Sequence, residues 1–400
     1  MAAAISIGGN MKRRIAIAMC AFMMLGSLVT GCGKKTTSEV PDEITIGFAG
    51  TLSGDNALVG QYQKDAIKVV ENELAQNDGC IEIMGKQVKV NIVLEDTEGK
   101  PDICANVYRK FIDEYNAVAI VGPNESAATL AAAPIAQEVE VPVVAGMATN
   151  EAVTKVGDYV FRACYLDPFQ GKVLARYSYN DLGAKTAAVL FSSADAYSKC
   201  LKDAFVEEFE SLGGQVVASE EYAGADVKDF NAQLVNINAA DPDVLLMPNQ
   251  VGELALQIKQ AVSMGTKAKF IGGDSWDLPT LVEVAGAENM EGAYYVSPFT
   301  SSSTSEACVE WVKEYNEVAG ENPGSHATIA YEAMKIVLSA LENVQTFDGP
   351  SLRDAIFATD LDLPSGHVTM NEQGDPIKDA VILQYHDGVG EFVTTVSGAE

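Results

Sequence analysis

The chain has 400 residues, with 27 Lys+Arg against 56 Asp+Glu and a formal net charge of -29. At 48% hydrophobic and 21% charged residues it carries the material for a substantial core, which excludes global disorder, and its length fits two domains. The acidic balance excludes a general nucleic-acid binder, which needs a basic footprint, and attachment of the folded surface to anionic lipid.

Met11-Lys12-Arg13-Arg14 opens a basic segment, and Ile15 to Leu28 then runs apolar without a charge. That run is too short for a comfortable membrane span and suits a signal-peptide core. Leu28-Val29-Thr30-Gly31-Cys32 follows it and resembles a bacterial lipobox. The resemblance implies cleavage before Cys32, acylation of its thiol, and a signal over residues 1–31; an ordinary signal peptide with an incidental cysteine is the alternative. Translation can start at Met1 or Met11. Cleavage removes Lys12, Arg13 and Arg14 and no acidic residue, so the remaining chain is more acidic still. Residues 32–42 read as a flexible polar tether.

Ile44–Ala49 is a β-rich run, followed by a helix with Tyr62, Ala66, Val70 and Leu74 on one face. Val88, Val90, Ile92 and Leu94 alternate as a strand, and Pro101-Asp102 opens a helix with Ile103, Val107 and Phe111 in register. Val118–Val121 and Val141–Ala145 are strands around an alanine-rich helix, Ser126–Glu138. The rhythm repeats through strands Thr186–Phe191, Gln215–Ala218, Asp243–Met247 and Lys269–Ile271, with helices between. Helices return at Ser305–Ala319, His326–Leu341 and Leu352–Ala358, before a final strand pair, Ala380–Tyr385 and Glu391–Thr395. The fold class is α/β: two doubly wound lobes of parallel strands with right-handed helical crossovers. Tyr159–Asp167 carries no strong turn signal and reads as a crossing between lobes.

Signatures of catalysis and metal binding are sparse. His326, His367 and His386 form no close metal pair, and there is no Walker A loop or nucleophile elbow. Neither cofactor nor metal is expected. Cys80, Cys104, Cys164, Cys200 and Cys308 show no metal-ligand spacing and read as buried free thiols.

Three strand ends stand out, because open α/β sheets bind ligands beyond the carboxyl ends of their strands. They are Gly122-Pro123-Asn124-Glu125-Ser126, Gly146-Met147-Ala148-Thr149-Asn150 and Gly272-Gly273-Asp274-Ser275-Trp276. The first two read as helix starts, whose N–H groups and hydroxyls can hold a carboxylate; the third offers a carboxylate for an ammonium. An α-amino acid carries both groups. Ser126 and Thr149 read equally as plain N-caps, and Trp276 as a core anchor ahead of a ligand wall. Asp277, just ahead of Leu278-Pro279, reads as the cap of the next helix.

From Glu43 to the C-terminus the chain resembles the branched-chain amino-acid-binding family of extracytoplasmic solute-binding proteins that serve ABC importers. The resemblance rests on ITIGFAGTLSG, AIVGPNESAATLAAAPIAQEVEVPVVAGMATN, YVFRACYLDPFQG, LLMPNQVGELALQIKQAVSMG, FIGGDSWD and PGSHATIAYEAMK, in that order. It implies two Rossmann-like lobes joined by three crossings, with 43–163 and 297–376 in the first and 164–296 and 377–400 in the second. It implies carboxylate contacts from Ser126 and Met147-Ala148-Thr149, an ammonium contact from Asp274 and a covering ring from Tyr197. Gln250 stands where the family often has a tyrosine, Val59 where a pocket-wall aromatic often sits, and His326 where the ligand side chain can be touched. Glu125 beside Ser126 is a further departure, facing solvent or a cationic ligand. The implied partners are an L-amino acid and an ABC permease with its ATPase, for a monomer held by lipid at the outer face of a bacterial membrane. A sensory binding protein for an amide, urea or other small solute on the same fold is the alternative.

Overall fold

A computed structural model describes residues 39–54, 57–224 and 226–398. The signal and the lipobox, with Cys32, lie outside the described residues.

The first half builds strands β1 (Glu43–Gly50), β2 (Cys80–Ile83), β3 (Lys86–Asp96), β4 (Ala119–Val121), β5 (Val143–Ala145) and β6 (Val160–Arg162), with helices α1 (Ala57–Ala75), α2 (Pro101–Asp113) and α3 (Ser126–Glu138) between them. These strands form one sheet, ordered β2-β3-β1-β4-β5-β6, parallel throughout except for the β2–β3 hairpin. Next come α4 (Asp167–Arg176), β7 (Thr186–Ser192), α5 (Ala196–Ser211), β8 (Gln215–Tyr222), α6 (Asn231–Ala240), β9 (Val244–Leu246) and α7 (Val251–Ser263). Strand β10 (Lys269–Gly272), short helices α8 (Pro279–Ala285) and α9 (Ala287–Met290), and β11 (Tyr294–Ser297) complete this half. Helices α10 (Glu306–Ala319), α11 (Ser325–Glu342) and α12 (Gly349–Phe357) then return to the first lobe, followed by a small sheet of β12 (Asp360–Leu363), β13 (Gly366–Met370) and β14 (Pro376–Ile377). Strands β15 (Ala380–His386) and β16 (Val389–Val396) close the second sheet, ordered β16-β15-β11-β10-β9-β7-β8.

Both large sheets are covered on both faces, which explains their near-continuous apolar strands. In the first lobe Ile46, Phe48 and Val121 pack under α1, α10 and α11, while Ile120 and Val143 pack against Tyr108 and Phe111 of α2. In the second lobe Leu190 and Leu245 meet α6 and α7, while Val189 and Leu246 meet Leu201 and Phe205 of α5. Proline at the first position of α2 fixes a helical φ where no donor is needed.

The structure differs from the sequence reading in instructive places. Val160–Arg162 is a buried strand, not only a crossing, although it carries an arginine. That arginine is fully enclosed: its Nε donates to Asp375 Oδ1 at 2.7 Å, Nη1 to the Ala148 carbonyl at 2.5 Å and Nη2 to Thr154 Oγ1 at 3.1 Å. Its partner Asp375 lies far along the chain. Similarly, Lys378 at the start of the last crossing pairs with Glu332 of α11 at 2.9 Å, both side chains buried. Asp277 does not cap α8. Its Oδ2 accepts from the Ser325 N–H at 3.1 Å and the Ser297 hydroxyl at 2.9 Å, so it caps α11 from the opposite lobe. The described cysteines are all free thiols, with Cys104, Cys164 and Cys308 buried.

Candidate functional site

Each sheet reverses its strand order once. In the first, β3 and β4 flank β1; in the second, β8 and β9 flank β7. Loops leaving the carboxyl ends diverge at such a point and open a crevice. The two crevices face one another across one cleft. The first lobe lines it with Asn124, Glu125, Ser126, Met147 and His326, and with Val59 of α1. The second lobe contributes Tyr197, Gln250, Val251, Asp274, Ser275 and Leu278.

On the first side, the chain leaves β4 through Gly122 at φ +85, where a Cβ would also lie 2.3 Å from the Ala49 carbonyl oxygen. Glycine is therefore required for the loop to turn into α3. Ser126 is the first residue of α3 and not its cap. Its Oγ accepts from the Asn150 N–H at 3.2 Å, leaving the hydroxyl proton to donate into the cleft. Asn124 Oδ1 holds the Met147 N–H at 3.1 Å. The 146–150 loop leads into turns and a short 3-10 segment, Thr154–Val156, and not into an α-helix. Thr149 is consequently not a cap. It is fully buried behind the cleft wall, and among the described residues its hydroxyl, which faces the Asp167 carboxyl, has no hydrogen bond of ordinary geometry. Ala148 is also enclosed, with its carbonyl held by Arg162.

On the second side, Asp274 opens a 3-10 turn directly after β10 and is only 3% exposed. Burial raises its carboxyl to about 7, against hydrogen bonds from Tyr197 and Gln170 that favour the ionised form. The Tyr197 hydroxyl lies 3.1 Å from Ser275 Oγ, which itself donates to the Asn249 carbonyl at 2.8 Å. A Cβ on Gly273 would stand 2.3 Å from that tyrosine oxygen. Trp276 does not line the cleft. Its ring is fully buried in the second-lobe core, with Nε1 donating to the Met247 carbonyl at 2.9 Å. Gln250 turns its amide to Asp195 Oδ2 at 2.9 Å. His326 is buried at the start of α11, and desolvation pushes it down to about 4, so the imidazole is neutral at pH 7.

The structure therefore gathers Ser126, Met147, Tyr197, Asp274, Gln250 and His326 around one cavity, and sets Ala148, Thr149 and Trp276 behind its walls. Sequence reasoning passed over three groups that support it. Gln170 of α4 accepts from the Asp274 N–H at 3.2 Å and donates to Asp167 Oδ1 at 2.8 Å. Asp167, fully buried, is pushed well above the ordinary carboxylate range, first by burial. Asn150 donates across the lobes from Nδ2 to the Ala196 carbonyl at 3.0 Å. The signals were the DPFQG and GMATN segments themselves, which only the fold brings to one place.

The arrangement offers a hydroxyl donor on one lobe and an ionisable carboxylate on the other, facing the same space. Such groups can pair with the negative and positive ends of one ligand. The family described as "Periplasmic binding protein" matches residues 43–389. An amino acid binding protein of Pseudomonas aeruginosa is 26% identical over 352 residues, covering 86% of this chain and 91% of that one. A leucine-binding protein of Thermotoga maritima superposes with a TM-score of 0.82 at 29% identity, covering 88% of this chain and 99% of the other. A branched-chain amino acid transporter substrate-binding protein of Streptococcus pneumoniae, solved with isoleucine, gives 0.80 at 27% identity over 88% and 99%.

Proposed function

This chain belongs to the periplasmic binding protein family, and we propose that it captures a zwitterionic L-amino acid, branched-chain or similar, between its lobes and delivers it to the permease of an ABC importer. The relatives are solute-binding proteins of transporters and not enzymes, and the family implies an extracytoplasmic location. One observation carries the choice of ligand. Ser126, with a hydroxyl proton to give, and Asp274, a buried carboxyl, line one cavity from opposite lobes.

The α-carboxylate docks first on the first lobe, taking the Ser126 hydroxyl at the start of α3. An anion there also gains from the helix N-terminus. Closure brings Asp274 and Tyr197 over the α-ammonium. A buried carboxylate is costly without a partner, so the ligand selects the closed form by its differential affinity for it. The closed form is what a permease would recognise. Acylation at Cys32 would keep the protein at the membrane through the 32–42 tether.

Calorimetry of the purified chain against amino acids, amides, urea and benzoate tests this. Amino acids are expected to bind. Binding confined to ligands without an α-ammonium removes Asp274 from the role. Intact-mass analysis of protein from a bacterial membrane fraction tests the anchor: an acylated Cys32 N-terminus is expected, and a soluble chain cleaved elsewhere refutes it.

A further inference from the structure

The cleft holds more carboxyl groups than one ammonium can pair with. Glu125, next to Ser126, turns its side chain away from a capping role. Its Oε1 accepts from Thr51 Oγ1 at 2.7 Å. Its Oε2 is enclosed and, among the described residues, has no hydrogen-bond partner. Burial raises the carboxyl above its ordinary range, and the charged group that adds to the rise is another carboxylate, Asp195. Asp195 belongs to the opposite lobe, where it caps α5 through the Tyr197 N–H at 3.0 Å.

An inner and an outer cavity share Glu125, Ser126 and Gln250, so Glu125 stands at the passage between them. Among the described residues, no Lys or Arg lines the inner cavity. In the outer one Glu98, Glu125, Asp195 and Glu253 are set against Lys100 and Lys228, and Lys100 is held by Glu98 at 2.6 Å. A ligand anchored by its α-carboxylate on Ser126 lies in a cavity that Glu125 also lines. Two carboxylates facing each other from opposite lobes resist closure unless a positive charge lies between them. The net charge of -29 draws cations toward the molecule in the same sense.

From the enclosed, unpartnered Glu125 oxygen and the Asp195 carboxylate opposite it, we infer that the preferred ligand is an amino acid with a cationic side chain, whose terminal amine or guanidinium sits between these two residues. This rests on the amino-acid reading above and puts a cationic side chain in place of the branched-chain one. The α-groups occupy Ser126 and Asp274, and the distal cation satisfies Glu125 Oε2.

The experiment is calorimetry with L-lysine, L-ornithine, L-arginine, L-citrulline and L-leucine on the wild-type chain and on Glu125→Gln, with thermal melts to establish that both are folded. The expected result is binding of lysine, ornithine or arginine at least tenfold tighter than leucine. Arginine should also exceed citrulline, its neutral near-isostere, by tenfold or more, and E125Q should shrink the basic-over-neutral ratio by a similar factor. Leucine or citrulline binding as tightly as the basic amino acids overturns the inference and leaves the amino-acid reading standing. A basic preference that E125Q leaves unchanged overturns the role of Glu125. Failure of every amino acid to bind overturns the amino-acid reading itself.

Discussion

Asp274 makes the sharpest prediction, because its ionisation is coupled to the event it serves. In the free cleft, burial raises the carboxyl to about 7. Asp167 behind it is also raised well above the ordinary range, first by burial. An ammonium seated on Asp274 favours the ionised form and lowers that value. Below pH 7 the free protein therefore holds a proton that the complex does not. Ionised Asp274 falls from about ten-elevenths at pH 8 to about one-eleventh at pH 6, so affinity should weaken about tenfold, or about 1.4 kcal/mol. Binding at pH 6 should release close to one proton. Calorimetry in buffers of different ionisation enthalpy measures both quantities. Asp274→Asn should weaken binding at pH 8 by roughly 2–5 kcal/mol, as for one partner lost from a buried charge pair, and should flatten the pH profile. An equally steep profile and undiminished proton release in D274N would show that another group titrates. Unchanged affinity in D274N would refute the ammonium contact altogether.

Three further outcomes follow from the same geometry. Asn150→Ala removes the hydrogen bond to the Ala196 carbonyl across the cleft; at about 1 kcal/mol it should cut the closed population several-fold, read as a larger radius of gyration in solution scattering. Arg162→Met strands Asp375 in the interior and should cost about 3–5 kcal/mol of stability by thermal or denaturant unfolding, with Arg162→Met/Asp375→Leu recovering much of it. Gly273→Ala drives a methyl against the Tyr197 hydroxyl; it should cost about 1–3 kcal/mol of stability and weaken ligand binding, whereas an unchanged melting temperature and affinity would mean the loop absorbs the methyl freely.

Local pattern alone carried the doubly wound architecture. Ile44–Ala49 and Thr186–Phe191 are apolar runs of strand length, and their helices show clear apolar faces. The strand-end loops were legible too, because small and polar residues directly after a buried strand have few structural reasons to be there. What failed was whatever depended on a distant partner. Arg162 argues against a buried strand until Asp375, Ala148 and Thr154 converge on it. Asp277 looks like a local cap until the opposite lobe presents the Ser325 N–H. Trp276 sits two positions from Asp274, yet it serves the core while the carboxylate serves the cleft. A tight turn sends neighbouring side chains in opposed directions, and sequence spacing does not report which.

By itself, then, the sequence determined the α/β alternation, the two lobes and the small set of loops able to hold charge, since each follows from apolar period and turn chemistry over a few residues. The tertiary structure alone decided which of those groups share a cavity. It set Ser126 against Asp274, put Thr149 behind the wall, and left one Glu125 oxygen enclosed opposite Asp195 without a partner among the described residues. Burial and pairing are properties of surroundings assembled from segments far apart in the chain, and the charge on a carboxylate is fixed by those surroundings.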